Sequence, residues 1–353
     1  MNALFQPLQA GALQLRNRIV MAPLTRCRSE TGRVPGELMV EYYRQRADAG
    51  LIISEATSVT PMGVGYPNTP GIWSDEQVAG WKKVTDAVHA EGGLIVLQLW
   101  HVGRISHPSY LNGELPVAPS AIKPAGHVSL IRPKTEYPTP RALETDEIPA
   151  IVEAYRKGAE NAKAAGFDGV EIHGANGYLL EQFLLDGCNQ RTDPYGGSLE
   201  NRARLMLEVT DAVIGVWGAD RVGMHLSPRA DSHDVSVTDR EGTYAYVAEQ
   251  LGQRKLAFIC TREHVADDSI SPMLKQRFGG VYIANEAFNG ESAEEYVVSG
   301  TADAVAFGKA YIANPDLARR IAAGTDWNEQ DTGTFYASGP EGYTDYPFMT
   351  QQG

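Results

Sequence analysis

An imidazole, a primary amide and a phenol fall close together in the run H-G-A-N-G-Y at residues 173 to 178, where two glycines let the backbone turn sharply after an apolar stretch. His173 and Asn176 can both donate hydrogen bonds to one oxygen, which polarises a carbonyl or nitro group and stabilises charge that develops during its reduction. Tyr178 adds a weak acid, with an ordinary pKa of ~10, able to give a proton to a carbanion-like centre. The plainer alternative is a buried histidine capping the turn beside a core tyrosine. Gln98 offers a donor and an acceptor side by side, the pattern that pairs with a pyrimidine edge such as a flavin's. Gly308 and Lys309 offer backbone amides and a cation to a phosphate. Each of these also has an ordinary structural explanation when taken alone.

What must position them is a set of eight short apolar runs at residues 18 to 22, 51 to 54, 94 to 99, 169 to 172, 222 to 226, 256 to 260, 281 to 283 and 304 to 307. Amphipathic stretches at 76 to 91, 146 to 165, 200 to 217 and 240 to 253 alternate with them. Strands alternating with helices predict a parallel sheet, and eight such units predict an α/β fold, a single (β/α)8 TIM barrel spanning residues 1 to 353. Reacting groups in such a barrel come from the C-terminal strand ends. Those ends carry Pro23, Leu24, Thr25, Glu55, Ala56, Gln98, Trp100, His101, His173, Asn176, Tyr178, His225, Asn285, Glu286, Gly308 and Lys309. The interval after the third run holds eight of the twenty prolines, Pro108 to Pro149, so a loop excursion over the barrel mouth with a small hairpin is expected there. The tail from Trp327 is expected to pack across the barrel.

Composition narrows the partners. A formal charge of -13 repels phosphate backbones, and no basic patch offsets it, so a nucleic-acid partner is not expected. No apolar run approaches the ~20 residues of a membrane span. Residues 1 to 15 lack Lys and Arg, so a cytoplasmic protein is expected. Cys27, Cys188 and Cys260 form no C-x-x-C pair and read as buried thiols. No G-x-G-x-x-G follows a strand, so a nicotinamide dinucleotide would visit rather than reside. Asp231, Ser232, His233 and Asp234 resemble metal ligands in composition but lack a ligand spacing, so the run reads as a solvated loop and no metal is expected.

With these residues in place, the chain resembles the old yellow enzyme family of FMN-dependent ene-reductases over nearly its whole length. The resemblance is carried by N-R-I-V-M-A-P-L-T-R at 17 to 26, S-E-A-T at 54 to 57, L-Q-L-W-H at 97 to 101 and H-G-A-N-G-Y-L-L-E-Q-F-L at 173 to 184. N-Q-R-T-D-P-Y-G-G-S-L-E-N-R at 189 to 202, F-G-K-A-Y-I-A-N-P-D-L at 307 to 317 and G-Y-T-D-Y-P at 342 to 347 extend it. Within the family the chain looks nearest to bacterial glycerol trinitrate, xenobiotic and N-ethylmaleimide reductases.

The resemblance implies FMN as cofactor, NADH or NADPH as hydride donor, and activated alkenes, nitrate esters or nitroaromatics as small-molecule substrates. It implies that Thr25 tunes the flavin, Gln98 holds its pyrimidine ring, His173 and Asn176 bind the activating oxygen, and Tyr178 gives the proton. Tyr66 and Trp100 would shape the substrate cavity, while Pro23, Leu24, Ala56, Glu286, Ala287, Gly308 and Lys309 would border the cofactor. Three departures stand out: His225 where many members carry Arg near flavin N1, Lys309 where they carry Arg beside the phosphate, and A-N-E-A at 284 to 287 in place of a Gly-rich turn. Glu286 would repel phosphate unless its side chain turns away. Two other classes compete: a flavin-free aldolase or hydrolase using His173 and Tyr178 as acid and base, and a non-catalytic binding barrel. The former lacks an evident Schiff-base lysine or metal set, and the latter has no need of a polarising pair beside an acid.

Overall fold

In the computed structural model, which describes residues 3 to 350, eight parallel strands close on themselves. They are β1 (Ile19–Met21), β2 (Leu51–Ile53), β3 (Ile95–Trp100), β4 (Gly169–Gly174), β5 (Val222–Leu226), β6 (Phe258–Arg262), β7 (Val281–Asn285) and β8 (Ala304–Phe307). Each pairs with its sequence neighbour, and the pairing of Ala306 with Val20 joins β8 to β1 and closes the barrel, while the two-residue strand Thr57–Ser58 adds to the end of β3 through Leu99 and Trp100. A main helix follows each strand: α1 (Glu37–Gln45), α2 (Asp75–Ala90), α3 (Ile148–Ala164), α4 (Leu199–Trp217), α5 (Arg240–Gln253), α6 (Ser271–Phe278), α7 (Gly290–Val298) and α8 (Leu317–Ala323), with short helices Leu179–Leu184 and Lys309–Ala313 preceding α4 and α8. This is the expected (β/α)8 barrel.

Side chains alternate along each strand, so each strand feeds two cores. Ile95, Leu97, Val170, Ile172, Val222 and Met224 point outward into the layer shared with the helices. Val20, Val96, Phe258, Cys260, Ile283 and Ala304 fill the barrel interior. Gly223 is required there, because a Cβ on it would lie 2.2 Å from the Phe258 ring. An antiparallel hairpin, Leu8–Ala10 with Leu13–Leu15, joins the same interior cluster and bonds through Ala12 to the Asp220 carbonyl that precedes β5. It therefore plugs the N-terminal end of the barrel, leaving the chemistry to the other end.

Two expectations need correction. The sixth strand begins at Phe258 and continues through Thr261 and Arg262, which pair with Ala284 and Asn285. Its polar last residues hid this end from a search for apolar runs. The Pro-rich excursion pairs Val117–Ala118 with Arg141–Ala142 in parallel, and its antiparallel contact is the single bridge His127–Glu136. The prolines break the ladder too often for a regular hairpin. The tail does cross the mouth: Arg26 donates to the carbonyls of Phe335 (3.0 Å) and Gly342 (2.7 Å), and Tyr343 stacks on Tyr42 with centroids 4.1 Å apart.

Candidate active site

By the alternation along the strands, Gln98 and Trp100 of β3, Glu171 and His173 of β4, His225 of β5, Arg262 of β6 and Asn285 of β7 share the inward parity. The register sets His173 directly beside His225, with ring centroids 5.7 Å apart. One layer deeper, the fully buried Glu171 carboxylate accepts from the Gln98 amide at 2.7 Å and lies 3.3 Å from His225 Nδ1. Gln98, Glu171 and His225 thus form a belt across three strands. Holding one Gln98 N–H on Glu171 fixes the amide so that its carbonyl and second N–H remain free for a partner.

The turn after β4 needs its own supports. Asn176 adopts φ 58° and Gly177 φ 74°; a Cβ on Gly177 would meet the Ser232 carbonyl at 2.6 Å. Glu181 anchors the turn by accepting from Gly177 N–H at 2.5 Å, Ser227 Oγ at 2.8 Å and Tyr244 Oη at 2.5 Å, and Ser227 Oγ in turn accepts from Asn176 N–H at 2.7 Å. Burial pushes the Glu181 carboxyl up to about 7. Arg262 Nη1 donates to Asn176 Oδ1 at 3.1 Å. With that oxygen occupied, the Asn176 NH2 is left as the group that meets a ligand.

His173 Nδ1 is buried with no partner among the described residues. Burial, with His225 and His233 nearby, holds this imidazole well below its ordinary range, so it is neutral and can donate. Trp100 packs edge-on to Tyr178 (5.0 Å) and nearly parallel to Tyr66 (5.5 Å), and the Tyr66 and Tyr178 hydroxyls are 2.8 Å apart. Burial first, then Tyr66, pushes the Tyr178 phenol well above its ordinary value, so it stays protonated.

Three cavities meet here. A slot of about 110 Å³ is bordered by Pro23, Thr25, Ala56, Gln98, Trp100, His173, Asn176, Tyr178 and His225. It shares Pro23, Thr25, Asn176, Arg262 and Asn285 with a space of about 650 Å³ that reaches Leu24, Glu286, Ala287, Gly308 and Lys309. On the outer side, about 520 Å³ opens past Tyr66, Asn176 and Tyr178. Every cofactor- and substrate-site residue anticipated above therefore borders this connected space. Glu55 and His101 do not: Glu55 accepts from Tyr43 Oη at 3.3 Å, and His101 Nδ1 accepts from Gly103 N–H at 3.0 Å.

Three residues escaped the sequence reading. Arg262 borders all three cavities and was hidden by the short sixth run, although F-I-C-T-R continues the inward parity of Phe258 and Cys260. Glu171 sits mid-strand rather than at a strand end, and no local signal singled it out. His233 belongs to the run expected to be solvated; Asp231 and Asp234 are exposed, but His233 turns inward and bonds the Asn176 carbonyl at 2.6 Å. Glu171, His225 and Cys260 are the one group among the described residues with metal-like spacing, but Glu171 is engaged by Gln98 and burial raises the Cys260 thiol, so it stays protonated.

The space suits FMN on its donors. His173 Nδ1, the Asn176 amide and the clamped Gln98 amide aim at the slot. The larger cavity carries a cation at Lys309 and the left-handed backbone of Glu286 and Ala287 (φ 110° and 62°). The Glu286 carboxylate lies 3.4 Å from Arg262 Nη2, which offsets its charge.

Comparison with known proteins agrees. The model of the NADH:flavin oxidoreductase / NADH oxidase family matches residues 3–328. The 12-oxophytodienoate reductase 1 of Oryza sativa subsp. japonica is 45% identical over 99% of this chain and 93% of its own length. A probable flavin mononucleotide-dependent alkene reductase of Leishmania infantum is 45% identical over 99% and 98%. Morphinone reductase in complex with tetrahydroNAD superposes with a TM-score of 0.95 at 50% identity over 99% and 98% of the two chains. The old yellow enzyme homologue from Zymomonas mobilis gives 0.96 at 43% identity over 98% and 99%.

Proposed function

Because the chain belongs to the NADH:flavin oxidoreductase / NADH oxidase family, whose FMN its barrel mouth is built to hold, we propose that it reduces activated alkenes, with nitrate esters and nitroaromatics as further acceptors. The observation that carries this reading is a neutral His173 with an unpartnered buried Nδ1 beside a still-protonated Tyr178, both on the slot where Gln98 is clamped. When bound, FMN supplies the two-electron carrier chemistry, accepting a hydride from reduced nicotinamide and yielding it to the substrate.

The chain does the rest. Gln98, steadied by Glu171, would hold the pyrimidine edge of the flavin, with Thr25, Pro23, Leu24, Ala56 and His225 bordering the ring system. Gly308, Lys309 and the amides at Ala287 would hold the phosphate, with Arg262 offsetting the Glu286 charge. His173 and the Asn176 NH2 grip the carbonyl oxygen of an enone, stabilising the enolate-like charge that forms there. Tyr66 and Trp100 wall the cavity, and Tyr178 gives its proton to the carbon beside that carbonyl. A cytoplasmic setting suits the three buried free thiols.

Tyr178→Phe tests the assignment. Reoxidation of the reduced holoenzyme by 2-cyclohexenone should slow by about 100-fold, the low end of general acid catalysis. Nitrite release from a nitrate ester, which protonates no carbon, should change far less. Equal loss for both substrates in stopped-flow traces overturns Tyr178 as the donor.

A further inference from the structure

Once Tyr178 has given up its proton it must be resupplied, and the phenolate left behind is buried and unfavourable. We propose that Tyr66 and His233 form a relay that returns a proton from solvent to Tyr178 in each turnover, with His233 Nε2 as its entry point. The proposal rests on the reading of Tyr178 as proton donor.

Tyr66 Oη, 2.8 Å from Tyr178 Oη, is the only hydrogen-bond partner of that hydroxyl among the described residues. Of the rings flanking Tyr178, Trp100 and His173 meet it edge-on at 5.0 and 5.1 Å and His233 is tilted at 4.9 Å, and none of the three hydrogen-bonds its hydroxyl, so His233 is reached through Tyr66. Tyr66 Oη lies 3.4 Å from His233 Nε2. Catalytic hydrogen bonds are often this long before substrate binds and shorten in the complex. Tyr178 and Tyr66 are each 8% exposed, and His233, which borders the same outer cavity of about 520 Å³, is the most exposed of the three. The relay thus ends at the group that solvent reaches most readily.

His233 is held for the task. Its Nδ1 is 2.6 Å from the Asn176 carbonyl, which can only accept, so Nδ1 carries a proton and Nε2 is the one nitrogen able to exchange. Arg104 Nη2 donates to the carbonyls of His233 (3.3 Å) and Asp234 (2.7 Å), fixing the left-handed φ of 57° at His233. The charged and titratable groups around the imidazole are Arg104, Arg262 and Asp231, with His127, Arg132 and Lys134 across the same cavity. Asp231 is paired with Arg262 at 3.1 Å, and the Asp234 carboxylate accepts from Ala125 N–H at 2.9 Å, so neither neutralises the ring. Burial, Arg104 and Arg262 hold His233 below its ordinary range against the opposing Asn176 bond, so the ring rests neutral and releases readily any proton it picks up.

The protons balance. The Tyr178 O–H bond breaks as the substrate C–H bond forms. Tyr66 passes its proton to the phenolate and takes the Nε2 proton of His233, which had come from water or a buffer acid. Each group ends as it began, one solvent proton resides in the product, and no redox change occurs in the relay.

The test compares first and later turnovers of the FMN-loaded enzyme with 2-cyclohexenone and saturating reduced nicotinamide. In His233→Gln, and in His233→Asn as a second variant, loss of the bond to the Asn176 carbonyl acts on every turnover alike, so the readout is the rate of later turnovers relative to the first, in which Tyr178 starts protonated. Later turnovers should slow about tenfold at alkaline pH, with the deficit shrinking toward pH 5, where solvent acid is abundant. Added imidazole should restore them in His233→Ala and fail to do so in Tyr66→Phe, where the middle of the relay is broken. Later turnovers at the parent rate across the pH range, or equal slowing of all turnovers without imidazole rescue, overturn the relay. A Tyr178→Phe enzyme with an undiminished first turnover instead removes the donor reading beneath it.

Discussion

Replacing His173 with Phe keeps a ring in the space beside Trp100 and Tyr178 while removing the donor that faces the slot. The imidazole is 4% exposed, its Nδ1 has no partner among the described residues, and it is neutral, so the substitution leaves no charge stranded and breaks no hydrogen bond to them at that nitrogen. Against a substrate carbonyl in the ground state, one neutral hydrogen bond is worth about 1 kcal/mol, or roughly fivefold in binding. Against the charge that develops on that oxygen in a dry site, loss of one preorganised donor costs roughly 2.7–4 kcal/mol, or about 100- to 1,000-fold in rate. His173→Phe should therefore bind 2-cyclohexenone only several-fold more weakly but reoxidise with it at least 100-fold more slowly. Dioxygen presents no carbonyl to polarise, so aerobic reoxidation of the same variant should stay near the parent rate. Stopped-flow absorbance after anaerobic photoreduction measures both. A loss below about fivefold with the enone, or an equal loss with dioxygen, refutes the oxyanion role of His173.

Two further outcomes are expected. At residue 225, guanidinium would present a permanent, delocalised charge and a fork of donors where the imidazole now stands. The midpoint potential of His225→Arg should thus exceed the parent's by about 30–60 mV, the equivalent of one charge-assisted hydrogen bond. Potentiometric titration of both proteins measures the difference, and equal potentials would contradict this role. Glu181 is fully buried and its carboxyl is raised from 4.5 to about 7, so the fold favours its protonated form. That contribution is complete below pH 4.5 and is lost as pH rises through 7; at 1.36 kcal/mol per pH unit it amounts to roughly 3 kcal/mol. Urea unfolding of the parent should accordingly fall relative to Glu181→Gln between pH 5 and pH 8, and an unchanged difference would show that the buried carboxyl does not titrate there.

Hydrophobic periodicity located all eight barrel strands because each is buried on both faces and reads as an apolar run. Choosing residues at the ends of those runs then gathered Thr25, Gln98, His173, Asn176, Tyr178 and Lys309 on one cavity system, since the fold brings every strand's C-terminal end to the same rim. The same rule failed where a strand ends in polar residues. Thr261 and Arg262 extend β6 through backbone pairing that hydropathy does not register. Glu171 was illegible for a different reason: its partners Gln98 and His225 lie on neighbouring strands, 73 and 54 positions away, so only the register reveals the belt. The hairpin at Leu8–Leu15 is too short for a pattern, and His233 is drawn inward by Arg104 and the Asn176 carbonyl rather than by its own hydrophobicity.

The central claim is that this barrel mouth holds FMN and passes electrons from reduced nicotinamide to an activated alkene. The most direct measurement is one anaerobic spectral titration of the purified, FMN-reconstituted protein. The visible flavin band should appear with one FMN released per chain on denaturation, bleach on adding reduced nicotinamide, and return on adding 2-cyclohexenone as the saturated ketone accumulates in equal amount. A protein that acquires no flavin band with FMN present, or whose bleached band the enone fails to restore, would contradict the account.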